Sequence, residues 1–198
     1  MTILVGADLA TQSGLCFGRP HETPTTEVVR APVTGEEYGP WGAFYWTYFN
    51  RLLDRLQAQL TEGEGIVIAY ESPILPRARW SKTENKMVGG TRIETVRKLG
   101  SLGVFLESVC HLHPAPTVVK ECGISEIKKE LAGSGGADKA SMVFVARRAG
   151  VALPEGDEAM DAADAFGAWL MAVRHYAPEH QMLWDKRLRQ PTGAHEGW

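Results

Sequence analysis

Cysteine is scarce in this sequence, and the three thiols are poorly placed for a disulfide framework. Cys16, Cys110 and Cys122 are odd in number and widely spaced, so we expect a protein of a reducing, cytoplasmic setting. Cys110 and Cys122 could bind zinc together with His111 and His113, but their spacing matches no familiar zinc pattern. A zinc site is therefore a minor alternative.

Long hydrophobic runs are also missing. The apolar start of the chain has no basic segment before it and contains Asp8, and the longest apolar run near the C-terminus, residues 165–173, is too short to span a bilayer. We therefore expect a soluble protein that is neither exported nor membrane-bound. Its 198 residues, 44% of them hydrophobic, suffice for one core. We predict one domain over residues 1–177 and a C-terminal tail over residues 178–198, which has no clear hydrophobic period and could be partly disordered.

An excess of positive charge is absent as well. The formal net charge of −3 argues against indiscriminate binding to polyanions. That total hides a basic segment at residues 77–98, where seven basic residues face two glutamates, a local charge of +5 that leaves −8 for the rest of the chain. Several acids are close together elsewhere, where a divalent cation would offset their repulsion: Glu155, Asp157, Glu158, Asp161 and Asp164.

The hydrophobic pattern predicts strands first and then alternating helices and strands. An apolar run at residues 2–8, the turn-prone residues 11–13 and a second run at 14–18 indicate strand, turn, strand. A third antiparallel strand is expected at 25–33. Residues 66–70 form a continuous apolar run, typical of a strand buried on both faces.

Helices are predicted between and after these strands. Residues 41–60 have apolar side chains at three- or four-residue intervals. Proline-rich and basic residues from 72 to 90 indicate a loop. Further helices are predicted at residues 91–111, 125–131, 137–149 and 158–176, with a short strand at 116–120.

Four carboxylates occur where these elements begin or end. Asp8 and Glu71 each end a predicted buried strand, where a side chain can project into a crevice, and the two meet if the strands are neighbours. Asp161 and Asp164 are three residues apart on one helix face. Hard oxygen donors without clustered histidine or thiolate favour Mg²⁺ or Mn²⁺.

Each acid also has a purely structural explanation. Asp8 could be a turn carboxylate, Glu71 a charge at a strand end, and the aspartate pair the first turn of a helix favoured by its dipole. The small residues around the pair, in Asp161-Ala162-Ala163-Asp164-Ala165, are instead typical of a helix that packs closely while its acids point to a metal. Like charges at helical spacing also destabilise a helix unless a cation intervenes.

Four segments, in order, resemble the RuvC family of Holliday junction resolvases, in particular its compact phage and bacterial members. They lie at residues 6–14, 68–73, 127–139 and 160–165. The resemblance implies an α/β, RNase H-like fold: a mixed sheet of three antiparallel strands followed by parallel strands, flanked by helices. Any one segment is weakly specific, whereas the ordered set covers most of the chain.

The resemblance also implies a mechanism. Two metal ions between Asp8, Glu71, Asp161 and Asp164 would clamp the scissile phosphate, generate a hydroxide nucleophile and stabilise the leaving 3′ oxygen, giving 5′-phosphate ends. The family's lysines match Lys139 and, less closely, Lys128, which would stabilise charge on the phosphate or position the strand. Structurally, either lysine could be a solvated helix residue.

A basic loop follows Glu71 and could contact DNA. Its cations would bind backbone phosphate beside the metal site, and its tryptophan could stack on a base. The residues concerned are Arg77, Arg79, Trp80, Lys82 and Lys86. A charged surface loop is the alternative. In the RuvC family an aromatic near the glutamate helps to open the junction; here Trp80 comes later, a departure from the family pattern, so the resemblance does not fix the substrate preference.

A symmetric homodimer is the assembly that four-way junctions favour. Such junctions are two-fold symmetric and need two coordinated nicks. The predicted helix at 91–111 has an apolar stripe and small residues, and the resemblance points to it as part of the interface. Core packing alone would also explain the stripe.

Two other functions fit part of the sequence. Residues 6–14 also resemble the first phosphate loop of sugar kinases and actin-like ATPases, but a phosphotransferase of that type needs two such domains and leaves Asp161 and Asp164 unexplained. A protein that binds branched DNA without cleaving it is the third possibility. The complete carboxylate set favours catalysis.

Overall fold

Seven strands and six helices make up the described part of the chain. The computed structural model describes residues 2–32, 38–71, 79–81, 83, 86–88 and 93–189. The strands are β1 (Thr2–Asp8), β2 (Gln12–Gly18), β3 (Thr25–Arg30), β4 (Gly65–Glu71), β5 (Arg79–Ser81), β6 (Lys86–Val88) and β7 (Thr117–Cys122). The helices are α1 (Tyr38–Gln57), α2 (Ile93–Leu112), α3 (Ile124–Ala132), α4 (Lys139–Arg148), α5 (Glu158–Tyr176) and α6 (Gln181–Leu188).

The central sheet has five strands in the order β3-β2-β1-β4-β7. The first three strands pair antiparallel, whereas β4 is parallel to β1 and β7 is parallel to β4. Strands that run in the same direction need a crossover connection. Helix α1 lies in the connection from β3 to β4, and α2 lies in the connection from β4 to its neighbour β7. The predicted fold class, a mixed sheet flanked by helices, is confirmed.

Two hydrophobic cores lie on the two faces of the sheet. Side chains alternate along each strand, so Ile3, Val5 and Ala7 of β1 join the core under α1 and α2, while Leu4 joins the core under α3 to α6. Helix α5 is central to the second core, where its alanines are fully buried and let the helix lie close to β1, β2 and β4. The acidic strand ends are therefore next to the first turns of α5.

Two segments differ from the sequence prediction. Residues 79–81 and 86–88, expected in a loop, form an antiparallel hairpin in which Trp80 pairs with Met87. Aromatic and branched residues favour extended backbone, and two three-residue strands are too short to give a hydrophobic period. Part of the expected tail is also structured: a 3-10 turn at Pro178–His180 leads into α6, and Trp184 of α6 is buried against α5.

Among the described residues, no helix has both the length and the apolar character needed to cross a membrane.

Candidate metal centre

Two of the four predicted carboxylates end neighbouring parallel strands. Ala7 of β1 pairs with Tyr70 of β4, so Asp8 and Glu71 follow side by side. Both continue the face of the sheet that packs on α5, because they are two residues beyond Gly6 and Ala69. The sequence predicted that Asp8 and Glu71 meet if their strands are neighbours. The strands are neighbours, and the two residues lie side by side.

The other two carboxylates lie near the start of α5, across from those strand ends. Gly14 of β2 pairs with Asp8, and a Cβ at Gly14 would be only 2.0 Å from the Asp161 carbonyl oxygen. The backbone of α5 at Asp161 therefore rests directly on β2, beside Asp8. Asp164, one turn further, is 5% exposed. All four acids belong to one end of the α5–sheet interface.

Lys139 supplies a cation to the same region. The Asp138 carboxylate caps α4 by accepting a hydrogen bond of 2.7 Å from the Ser141 N–H, so Lys139 is the first helical residue. The Lys139 Nζ lies 3.8 Å from Asp161 Oδ1 and 3.8 Å from Asp164 Oδ2. The lysine that the RuvC resemblance singled out thus neighbours the aspartate pair.

Burial and like charge raise the pKa of three of these acids. Asp8 has a pKa raised well above its ordinary value, mainly by burial and then by Glu71, Asp164 and Asp161. Burial and the charge of Asp164 raise the pKa of Glu71 to about 7. Burial likewise raises the pKa of Asp164, against the opposing effect of Lys139. A cation bound between these acids would offset their mutual repulsion and favour the ionised form of all three.

Two carboxylate oxygens of the centre find no hydrogen-bond partner among the described residues: Glu71 Oε2 and Asp164 Oδ1. Buried polar atoms are normally paired, so such oxygens are available to a ligand. The described residues hold no group of three or more His, Cys, Asp or Glu side chains already arranged to coordinate an ion. The donor set thus fits a hard cation, and coordination requires the carboxylate groups to converge further.

The other predicted DNA-contacting residues are only partly described. Lys128 of α3 lowers the pKa of both Glu71 and Asp164 by its charge, so it borders the centre. Arg79, Trp80 and Lys86 belong to the β5–β6 hairpin, whose side chains lie outside the described part. Arg77 and Lys82 lie entirely outside the described residues.

The minor zinc alternative is not supported by the fold. Cys110 lies in the core under α1 and α2, whereas Cys122 lies in the core on the opposite face of the sheet. His113 faces Asp54, at 3.1 Å from Oδ1, and accepts a hydrogen bond from the Ala115 N–H. Two thiols separated by a sheet cannot bind one ion.

Sequence reasoning missed one polar neighbour of the centre. The Gln12 Nε2 donates a hydrogen bond of 2.8 Å to Asp161 Oδ2. The sequence pattern indicated a turn at Gln12 and a strand from Gly14, whereas β2 begins at Gln12. With the correct start, the two-residue period would have put Gln12 on the same face as Gly14.

Comparison with known proteins identifies the fold. The structure of RuvC from Thermus thermophilus shares 18% identity, covers 87% of this chain and 95% of its own, and has a TM-score of 0.56. T. thermophilus RuvC in complex with a Holliday junction substrate shares 17% identity over 91% of this chain and 98% of its own, with a TM-score of 0.58. The chain has the RNase H-like fold of RuvC. No protein-family profile matches the chain, and no curated protein sequence matches it.

Within this RuvC fold, the raised pKa of Glu71 predicts how stability varies with pH. In metal-free protein, maintained with a chelator, we expect the free energy of unfolding to fall as the pH rises from about 4.5 to about 7. The folded state keeps the Glu71 proton over this interval and the unfolded state releases it, so increasing pH favours unfolding. Asp8 and Asp164 act in the same direction.

Urea unfolding of wild type and Glu71→Gln across this pH interval tests the effect. The variant cannot ionise at this position, so its stability should decline less steeply than that of wild type. Parallel declines would show that Glu71 titrates alike in the folded and unfolded states.

Proposed function

We propose that this chain is a metal-dependent endonuclease that resolves Holliday junctions or related branched DNA by paired nicks. The observation that carries the proposal is that four carboxylates and Lys139 lie near one another at one end of α5, within a fold shared with RuvC. Buried acids of like charge, two of whose oxygens have no hydrogen-bond partner among the described residues, are costly to keep ionised without a bound cation. A cation held by such acids is suited to phosphodiester hydrolysis, and a basic segment follows Glu71 in the sequence.

Asp8, Glu71, Asp161 and Asp164 are the residues that would hold Mg²⁺, in two ions, with Mn²⁺ as a substitute. When bound, the metal would supply Lewis-acid polarisation of the phosphate and activation of water; breaking the P–O3′ bond, with the 3′ oxygen as leaving group, would give 5′-phosphate and 3′-hydroxyl ends. The chain itself keeps bulk water away from the inner acids, because Asp8 is 9% and Asp164 5% exposed. Low local polarity strengthens every charge interaction there.

The two lysines act on the phosphate rather than on the metal. Lys139 has a side chain 54% exposed, and its Nζ is 3.8 Å from two of the acids, so it reaches from solvent to the centre. A cation in that position stabilises negative charge that develops on a reacting phosphate. Lys128 borders the centre on α3 and would position the strand.

The proposed partner is branched DNA, bound by a homodimer in the cytoplasm. The basic residues Arg77, Arg79, Lys82 and Lys86, with Trp80, would hold the backbone and stack on a base. Helix α2 supports the dimer proposal because Val104 and Leu112 are 60% and 70% exposed on it. A two-fold assembly presents two centres to a two-fold junction.

Junction cleavage is the direct test. Labelled four-way junction, fork, linear duplex and RNA/DNA hybrid are incubated with the protein in Mg²⁺, Mn²⁺ or chelator. We expect nicks in two opposing strands of the junction in either metal, none in chelator, and little cutting of linear duplex.

Any other result of this cleavage assay would favour a different function. Equal cutting of linear duplex would overturn junction selectivity, and no cutting of any substrate would overturn the nuclease proposal. Junction binding without cleavage, unchanged by Asp8→Asn, would favour a binding protein. ATP hydrolysis would favour the kinase-like alternative.

A further inference from the structure

We propose that Gln12 is a positioning residue that holds the carboxylate of Asp161 in the orientation required for metal binding. The inference rests on the proposed metal centre and adds a residue outside the four acids. Gln12 is half-buried at the first position of β2 and donates from Nε2 to Asp161 Oδ2 over 2.8 Å. Because an ionised carboxylate only accepts hydrogen bonds, the amide nitrogen must face Asp161.

The backbone that carries Gln12 is fixed by hydrogen bonds on both sides of the β1–β2 turn. The fully buried Ser13 hydroxyl donates to the Ala10 carbonyl over 2.9 Å and accepts from the Ala10 N–H over 3.3 Å. The hydroxyl of Tyr45, on α1, donates to the Thr11 carbonyl over 3.1 Å. Pairing with Arg30 of β3 then fixes the strand at Gln12 itself. The fold thus fixes the backbone from which the Gln12 side chain reaches Asp161.

Strand β2 contacts Asp161 at two points. Gly14 and Gln12 are two residues apart and share one face of the strand. Gly14 allows the Asp161 backbone to approach so closely that a Cβ would be 2.0 Å from its carbonyl oxygen. Gln12 then contacts the side chain of the same residue. One contact sets where Asp161 lies, and the other sets how its carboxylate is turned.

The hydrogen bond distinguishes Asp161 from the other acids. Its Oδ2 is engaged by Gln12, and its Oδ1 is 3.8 Å from Lys139 Nζ. Glu71 and Asp164 each retain a buried oxygen without a hydrogen-bond partner among the described residues. A donor on one oxygen leaves the other to face the ion, the role that outer hydrogen bonds have around metal ligands. A neutral amide does this without adding negative charge.

Direct binding of Mn²⁺, without DNA, tests the inference. Electron paramagnetic resonance measures free Mn²⁺ during titration of wild type, Gln12→Ala, Gln12→Met and the control Gln57→Ala, an exposed glutamine at the end of α1. Losing an outer-shell partner weakens metal binding about 10–100-fold. We expect that increase in Kd for Gln12→Ala and Gln12→Met alike, because Met keeps the length but not the donor. Gln57→Ala should match wild type.

Two further readouts separate positioning from general damage. Junction affinity in chelator and the thermal unfolding midpoint should stay close to wild type in both Gln12 variants. Unchanged Mn²⁺ affinity in Gln12→Ala, wild-type affinity in Gln12→Met, or an equal loss of DNA binding and stability would each overturn the positioning role. Wild type that binds Mn²⁺ but cuts no DNA would overturn the nuclease and leave this inference standing. Wild type that binds no Mn²⁺ would overturn both.

Discussion

Asp8→Asn is expected to abolish junction cleavage and, in the absence of metal, to make the protein more stable. Loss of one ligand removes several kcal/mol of charge stabilisation from the reaction, which corresponds to about a thousandfold or more in rate. The metal-free protein should gain on the order of 1–2 kcal/mol in free energy of unfolding, as at other functional sites that hold unfavourable charge. Burial of Asp8, which is 9% exposed, raises its pKa most, and the charges of Glu71, Asp164 and Asp161 raise it further. Asparagine keeps its shape and removes that repulsion.

The matched control is Asp157→Asn. Asp157 is an exposed acid at the start of α5 whose side chain makes no capping hydrogen bond, so it tests loss of charge outside the centre. Cleavage and urea unfolding, the latter with chelator and then with Mg²⁺, are measured for all three proteins. Mg²⁺ should stabilise wild type and the control but not Asp8→Asn. Wild-type cleavage by Asp8→Asn, or its destabilisation in chelator, would contradict the account.

Local pattern suffices to predict the elements that carry the acids. Helix α5 has the predicted bounds, Glu158–Tyr176, because Gly156 and Pro178 bracket it and small or apolar residues fill it. Strand β1 also has its predicted bounds, and both Asp8 and Glu71 are the last residues of their strands. These features depend on residues close together in sequence, so a single sequence is enough.

Contacts between elements that are distant in sequence are harder to predict from the sequence. Asp8 and Glu71 are neighbours because β4 pairs with β1, and the two strands are more than 50 residues apart in sequence. Hydrophobic periodicity and strand propensity do not determine which strand β4 pairs with. Resemblance to RuvC implied the fold in which it occurs. The bond between Gln12 and Asp161 joins residues 149 positions apart and has no motif of its own.

The C-terminal segment shows another limit of hydrophobic periodicity. One large aromatic can anchor a short helix that has no apolar stripe. Trp184 does so in α6: it is 1% exposed, its ring is 4.9 Å from that of Trp169, and its Nε1 donates to the Pro20 carbonyl over 2.7 Å. Trp184 and Leu188 therefore join the core on the α5 face of the sheet, although the pattern of this segment indicated a tail.

Close contact between α5 and the sheet depends on a second glycine, besides Gly14. A Cβ at Gly6 of β1 would lie 2.1 Å from the Ala165 carbonyl oxygen and 2.3 Å from the Trp169 nitrogen. Both are backbone atoms of a helix packed on the central sheet, so no side-chain rotation relieves the overlap. The helix as a whole would have to move outward, and Asp161 and Asp164 would move with it.

Gly6→Ala should therefore disrupt both the fold and the proposed metal centre. We expect a loss of about 4 kcal/mol or more, a large share of the stability of an ordinary domain, and loss of Mn²⁺ binding in whatever folded protein remains. Gly100→Ala is the control: Gly100 lies within α2, and no atom lies within 4 Å of the place that an alanine methyl group would take, so alanine should stabilise by about 0.5–1 kcal/mol. Urea unfolding and the Mn²⁺ titration measure both effects. A Gly6→Ala protein with wild-type unfolding and Mn²⁺ affinity would mean that α5 can move away from the sheet without disturbing the acids, and the close approach would then have no part in building the centre.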